Sequence, residues 1–358
     1  MGGTYDDLGD HSKALEFLLK ALDIREKSLP EGHPDLASSY NNVGGTYGDL
    51  GDHNKALEFK LKALAIWEKV LPEGHPNLAT SYNNVGSTYG DLGDHSKALE
   101  FKLKALAIRE KVLPEGHPDL AISYNNVGGT YGDLGDHSKA LEFKLKALAI
   151  LEKSLPEGHP DLATSYNNVG STYGDLGDHG KALEFKLKAL SIREKILPDG
   201  HPNLAASYNN AGSSYGKLGN HRKALEFKLK ALAIWEKVLT EGHPDLALSY
   251  NNVGSTYGDL GDHSKALEFL LKALDIREKV LPEGHPNIAA SCSNIAFTLA
   301  QMSRFTEALP YIRRAVMIAE TSLPEGHPNL ENFRQGKEML ELCAMFQEAG
   351  IDLPNPFL

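Results

Sequence analysis

Residues 34–75 read PDLASSYNNVGGTYGDLGDHNKALEFKLKALAIWEKVLPEGH, and the same 42 residues recur with few changes along almost the whole chain. Within this unit Leu36, Tyr40, Val43, Tyr47 and Leu50 stand at spacings of four, three, four and three, the apolar stripe of an amphipathic helix. This first helix, A, is expected over 35–50. Pro34 suits a first helical position, and Asp35 places a negative charge against the positive end of the helix dipole. Gly51 can take the left-handed conformation that ends helices, and Asp52 or Asn54 can cap the next helix. That second helix, B, is expected over 53–71, where Leu57, Leu64 and Leu71 recur at seven and Phe59, Ala63, Ile66 and Val70 fill an adjacent stripe. So broad an apolar surface needs more than one neighbour. Glu58 and Lys62 stand four apart in the favourable order on the wet side, worth a few tenths of a kcal/mol. The segment 72–76, PEGHP, stops helix B and starts the next A helix.

One feature opposes helix A. Gly44, Gly45 and Gly48 lie in its middle, and an interior glycine costs about 1 kcal/mol relative to alanine. Packing between units must offset that loss. Gly44 is expected to let helix A approach helix B closely, as Ala56 and Ala63 do from the other side. The long helix B leaves a β reading of GGTYGDLGD little support.

The whole chain has 358 residues, and dividing by 42 gives about 8.5 units, so one array is a better description than two or three unrelated domains. Hydrophobic content of 41% with 24% charged residues is globular. No apolar run approaches the roughly 18 residues of a membrane span. A net charge of −11 with no basic block argues against a nucleic-acid partner. Cys292 and Cys343 form no CxxC pair, which fits an intracellular, cytoplasmic chain without zinc or redox motifs. The opening MGGTYDDLGD shows no signal peptide, but residues 2–10 align with 44–52, so the chain is expected to begin inside a repeat.

The expected organisation is a truncated first unit, mainly helix B, over 1–33, six near-identical units over 34–285, and a divergent last unit over 286–327. A capping helix over 328–349 and a tail over 350–358 complete it. In the last unit Ser293 replaces the first asparagine, Phe297 a small residue and Leu299 a tyrosine, as in terminal units that cover the apolar end of a solenoid. An uncapped first unit leaves apolar surface through which copies could self-associate.

The run N-N-V-G-x-x-Y-x-x-L-G-D-H-x-K-A-L-E-F-x-x-x-A-L-x-I-x-E-K-x-L-x-x-x-H-P-[DN] resembles the tetratricopeptide repeat in its 42-residue form, as in kinesin light chains and nephrocystin-like proteins. The resemblance covers about residues 2–328, with Gly44, Tyr47, Gly51, Ala56 and Ala63 at matching positions. It departs at residue 60, where lysine replaces the common large residue in most units. No heptad segment for a kinesin heavy chain is present. The resemblance implies an all-α fold, a right-handed α-solenoid of tandem helix-turn-helix repeats with the A helices lining a concave side that holds other proteins. Its groove positions fall on residues 38, 41, 45, 48 and 49 of this unit, opposite the apolar stripe.

That groove offers an asparagine column, Asn41, Asn83, Asn125, Asn167, Asn209 and Asn251, and an aspartate column, Asp49, Asp91, Asp133, Asp175 and Asp259. A carboxamide both donates and accepts, so a ladder of them can pair with the backbone of an extended peptide whatever its side chains. The alternative is that these amides bond a neighbouring unit's backbone. The aspartates favour a basic partner, unless they are solvated helix ends. Lys217 and Asn220 interrupt the acids in one unit.

Among near-copies, the columns that vary are the informative ones. Position 38 reads Ser38, Thr80, Ile122, Thr164, Ala206, Leu248 and Ala290, where side-chain selectivity is expected. Position 67 reads Arg25, Trp67, Arg109, Leu151, Arg193, Trp235 and Arg277, a two-unit alternation. These residues are expected at the surface near the end of helix B, where arginines could stack on the tryptophans if brought within reach.

The 15 histidines form two columns, eight like His33 and seven like His53. Equivalent residues in adjacent units lie roughly 10 Å apart, too far to share a metal ion. The glycines of GGTYGDLGDH lack the G-K-[ST] of a phosphate loop. Repetition puts the same residues in every unit, whereas catalysis needs distinct neighbours. No cofactor is expected. The reading is a non-enzymatic adaptor for protein or peptide segments, basic ones included, with neither nucleic acid nor membrane as partner. The alternatives are the sensing or spacing arm of a larger signalling protein and a kinesin-light-chain-like cargo adaptor.

Overall fold

The computed structural model describes residues 10–351 and 354–357. Among the described residues there are 16 α-helices and no strand: α1 His11–Ser28, α2 Pro34–Asp49, α3 His53–Val70, α4 Pro76–Asp91, α5 His95–Val112, α6 Pro118–Asp133, α7 His137–Ser154, α8 Pro160–Asp175, α9 His179–Ile196, α10 Pro202–Lys217, α11 His221–Val238, α12 Pro244–Asp259, α13 His263–Val280, α14 Pro286–Gln301, α15 Phe305–Ser322 and α16 Pro328–Glu348. The chain divides into two compact units, Met1–Asp178 and His179–Leu358. The described part of each is a stack of antiparallel hairpins in which a B helix packs on the A helix before it and on the one after it.

The helix ends explain why the chain breaks where it does. His33 is the N-cap of α2, and its Nδ1 accepts the Asp35 backbone N–H at 3.1 Å, with Pro34 in the first turn. The equivalent histidine caps every other described A helix and α16 in the same way. Asp52 caps α3 by accepting from the Lys55 N–H at 3.1 Å. Between the two, Gly51 has a φ of +80°, and its N–H and that of Asp52 return to the carbonyls of Gly48 and Tyr47. In the last unit Ser303 holds this left-handed place with a φ of +56°, where its carbonyl and hydroxyl accept from Gln347 and Asn355.

Each hairpin core is small and repeated. In the first, Leu22, Leu36, Ala37, Val43, Ala63 and Ile66 are buried, and Tyr47 stacks on Phe59 with ring centroids 5.5 Å apart. The close approach falls on Gly44 alone: a Cβ there would lie 2.9 Å from Lys60 Cγ and 3.0 Å from the Ala56 carbonyl oxygen, whereas one on Gly45 would meet nothing. Two stripe residues are less covered than the periodicity suggests. Leu50, the C-cap of α2, is 42% exposed, and Val70, in the last turn of α3, is 41% exposed; both stand at helix ends.

The final hairpin and α16 form a larger core, with Ile288, Cys292, Ile295, Leu299, Ile312 and Leu340 all buried. Only one face of α16 is covered. Met339, Leu342 and Met345 remain exposed on its outer side.

Candidate functional site

The A helices of each unit leave clefts between successive repeats, floored by the intervening B helix. The asparagines of the 41 column are half-buried at these clefts, and the aspartates of the 49 column are exposed at the helix ends. Thr80, Ile122, Thr164 and Leu248 are exposed on the same faces, Ile122 by 55% and Leu248 by 48%. The hydroxyls of Thr80 and Thr164 donate back to the carbonyls of Pro76 and Pro160.

The asparagines bond each other from repeat to repeat. Asn84 Nδ2 donates to Asn41 Oδ1 at 3.1 Å, and Asn126 to Asn83, Asn168 to Asn125, Asn252 to Asn209 and Asn294 to Asn251 repeat the contact. The neighbour is therefore a side chain, not the backbone that the alternative reading supposed. Each such bond contributes about 1 kcal/mol and fixes the rotamer of both amides. It uses one acceptor oxygen of Asn41 and leaves that residue's two N–H donors outside the pair.

The aspartate column sits in a more mixed field than the sequence suggests. Lys60 Nζ reaches across to the next A helix and donates to Thr88 Oγ1 at 2.8 Å, and Lys102, Lys144 and Lys228 repeat this on Thr130, Thr172 and Thr256. Burial holds the Lys60 ammonium below its ordinary pKa, while the carboxylates of Asp91 and Asp49 on either side oppose that shift. Asp91 also stands 4.0 Å from His53 Nδ1, and Asp259 stands 3.5 Å from His221 Nδ1. The strip is thus a row of carboxylates over half-buried ammonium groups, so its pull on a basic partner is weaker than that of acids alone. The lysine column is visible in the sequence as a departure from the repeat pattern, but its direction is not.

Position 67 lies on the cleft floor and not on the outer surface. Arg109 NH1 donates to the buried Ser123 hydroxyl at 2.6 Å, Arg193 does the same to Ser207 at 2.6 Å, and Arg25 and Arg277 bond Ser39 and Ser291. These arginines are spent on the serine of the following A helix, so they do not stack on the tryptophans. Trp67 and Trp235 are half-buried, each packed between two successive hairpin cores.

At two of the apolar residues in this column, Leu151 and Trp235, a cavity opens. One of about 150 Å³ is lined by Ile122, Asn125, Leu151, Asp161, Thr164 and Ser165. Another, of about 250 Å³, is lined by Ala206, Asn209, Trp235, Asp245, Leu248 and Ser249. Both combine the asparagine column with the variable columns at 38 and 67. At the end of the second unit, Phe357 of the tail packs edge-on against Phe297 with centroids 5.9 Å apart, beside Asn294 and Asp259.

Among the described residues no three of His, Cys, Asp and Glu come together as metal ligands would, and no helix is long and apolar enough to cross a membrane. Burial pushes the Cys292 thiol up to about 11, away from the thiolate form.

Tetratricopeptide repeat family models match residues 1–69, 35–111, 77–153, 119–195, 161–234, 203–279 and 288–329. No curated protein matches the chain. Among solved structures, a putative kinesin light chain from Podosopora anserina with nearly identical TPR-like repeats is 26% identical, over 57% of this chain and 97% of that one, with a TM-score of 0.53. BtubC (BKLC) from P. vanneervenii is 23% identical over 64% and 89% with a TM-score of 0.53, and the apo form of RapI is 16% identical over 98% of both chains with a TM-score of 0.66. The latter two likenesses speak to the fold alone. With family matches spanning nearly all of its length, this chain belongs to the tetratricopeptide repeat family.

Proposed function

We propose that the chain is a non-enzymatic scaffold that binds extended segments of partner proteins along its A-helix face, with the 41 column of asparagines as the backbone-reading element. The observation that carries this reading is the repeated Asn–Asn bond. Asn84, Asn126, Asn168 and Asn252 hold Asn41, Asn83, Asn125 and Asn209 by their oxygens, so the amide donors of these four residues are oriented at the clefts without being consumed in those bonds. An extended peptide in the polyproline II conformation advances about 3.1 Å per residue with three residues per turn, so one carbonyl per turn, about every 9 Å, can meet such a row whatever the side chains are. The small residues at positions 45 and 87 leave room for a backbone to approach. The proposed compartment is the cytoplasm.

The test uses the ladder itself. Asn83→Asp with Asn125→Asp keeps an oxygen to accept from Asn126 and Asn168 but removes the donors offered to a ligand. A peptide selected from a random 12-residue library against the wild-type chain is expected to lose at least tenfold in affinity for this variant, with the far-UV spectrum unchanged. Equal affinity would reject the groove assignment.

A second reading, a kinesin-light-chain-like cargo adaptor, draws support from the 26% identity to the fungal repeats. It shares the same groove and differs in the parent assembly, which co-purification with a kinesin heavy chain would test.

A further inference from the structure

Two of the clefts carry more specific chemistry than a peptide backbone requires. In alternate repeats the cleft floor holds the chain's own arginine, with its guanidinium bonded to the buried serine of the next A helix, as Arg109 is to Ser123 and Arg277 to Ser291. In the intervening repeats Leu151 and Trp235 take the arginine's place, and the equivalent serines, Ser165 and Ser249, line open cavities instead. Each cavity has an apolar wall, Ile122 with Leu151 or Leu248 with Trp235, and an acid at its rim, Asp161 or Asp245. Those carboxylates are more than half exposed, and they stand 3.7 Å from His159 Nδ1 and 3.9 Å from His243 Nδ1, nitrogens that accept the helix-capping N–H. The third apolar floor, at Trp67, differs because Asn77 stands where the acid would be.

We infer that the Leu151 and Trp235 clefts are subsites for an arginine side chain of the bound segment. The aliphatic stem lies on the Leu151 or Trp235 floor, and the guanidinium takes the place that Arg109 and Arg277 fill from within the chain, donating to Ser165 or Ser249 and facing Asp161 or Asp245. Three features favour this occupant over an apolar one. A guanidinium is already seated at the homologous serine in the neighbouring repeats. The acid at the rim would be desolvated for nothing by a leucine or valine. Trp235 lines its cavity, and an indole is the aromatic side chain that a cation prefers. The net charge of −11 draws such a segment in, and the resident arginines repel a second cation from the alternate clefts. This inference rests on the groove reading and adds a side-chain rule to it.

The test uses four capped 12-residue Ser/Ala peptides with a single central arginine, lysine, leucine or glutamate, titrated into the full chain and followed by the side-chain amide signals of Asn125 and Asn209 and by the indole N–H of Trp235. A Trp67→Phe background leaves Trp235 as the single indole, since the chain has 2 tryptophans. The arginine peptide is expected to bind at least fivefold tighter than the leucine and glutamate peptides, with the preference shrinking as salt is raised. Leu151→Arg with Trp235→Arg fills both clefts with the residue that four equivalent positions already carry, so the variant retains the fold and is expected to lose the preference. Equal binding of the arginine and leucine peptides, or a preference that survives in this variant, overturns the inference while leaving the groove reading intact. If no peptide moves the Asn125 or Asn209 amides, the groove reading itself has failed, and the inference with it.

Discussion

Gly128 and Gly129 are adjacent in α6, both helical, and differ in one respect: what a methyl group would meet. A Cβ on Gly128 would lie 3.0 Å from the Ala140 carbonyl oxygen, 3.0 Å from Lys144 Cγ and 3.3 Å from Lys144 N, while one on Gly129 would have nothing within 4 Å. Replacing either glycine by alanine gains about 1 kcal/mol of helix propensity, because the same backbone entropy is removed from the unfolded chain. At Gly129 that gain stands alone, so Gly129→Ala is expected to stabilise by about 1 kcal/mol. At Gly128 two of the three close atoms belong to the α7 backbone and cannot rotate away. Overpacking of this kind costs about 1–3 kcal/mol, so Gly128→Ala is expected to come out neutral to about 2 kcal/mol destabilising. The difference between the two variants, about 1–3 kcal/mol, is then the steric cost of the α6–α7 approach, since the propensity gain cancels. Urea unfolding followed by far-UV circular dichroism gives the two midpoints. Hydrogen exchange of the α6 amides localises the effect, which matters in a repeat array whose units need not unfold together. Shifts of the same sign and size would refute the reasoning, because the two positions would then be equally open. Gly129 also faces the cleft, so its alanine variant should gain stability and lose peptide affinity together.

Other expectations rest on the same contacts. The hydroxyls of Tyr40, Tyr82, Tyr124, Tyr166, Tyr208 and Tyr250 are pushed up to about 12 by burial and by the glutamate each one meets. A raised folded-state value means that the neutral phenol stabilises the fold below pH 10, and that this contribution is lost as pH rises from 10 through 12. Ultraviolet titration should therefore show a late-ionising group of tyrosines, and ionisation of every tyrosine near 10 in still-folded protein would contradict it. Lys102 is held below its ordinary value by burial, so its charge costs stability at neutral pH, and that cost fades as pH rises towards 10.5. Lys102→Leu, which copies Leu270 at the equivalent position, should fold normally and bind basic peptides faster at low salt; an unchanged association rate would argue against a role for the lysine row. His117→Ala removes the N-cap acceptor of α6 and should destabilise by about 0.5–2 kcal/mol, with His117→Asn restoring most of the loss in urea unfolding.

The parts of the fold legible in the sequence are those decided within one helix or one turn. Pro34 and Asp35 start α2, Gly51 turns the chain, Asp52 caps α3, and the stripe through Leu36 and Val43 faces inward. Contacts between repeats are not legible there, because they join residues 14, 28 or 43 positions apart and depend on how successive hairpins are offset. Nothing local in Arg109 indicates Ser123, and nothing in Asn126 indicates Asn83. The spacing of the His33 column speaks only to metal, yet an imidazole nitrogen two residues ahead of an orphan N–H is itself a helix cap. Periodicity places Leu50 and Val70 in the core, but it does not register that both sit at helix ends, where each stays about two-fifths exposed.

The distribution of variation along the array is a consequence of these inter-repeat bonds. Asn84, Thr88 and Ser123 each satisfy a group in the adjoining repeat, so changing one of them in a single unit leaves a half-buried partner unpaired next door. Such positions must repeat if every junction is to have the same geometry. Positions 38 and 77 carry no such obligation, and position 67 tolerates either an arginine that engages the serine or an apolar side chain that leaves it facing a cavity. The sequence differs from unit to unit at those places: Ile122 against Ala206, Asp161 against Asn203, Leu151 against Arg109. Invariant bonds therefore set the spacing of the clefts, and under the groove proposal the columns released from bonding duty would decide what each cleft admits. Recognition by this chain should accordingly be rewritten by substitutions at positions 122, 151, 161, 235, 245 and 248 without loss of stability, whereas replacing Asn84, Asn126 or Asn168, the donors of the ladder, should loosen the stack itself.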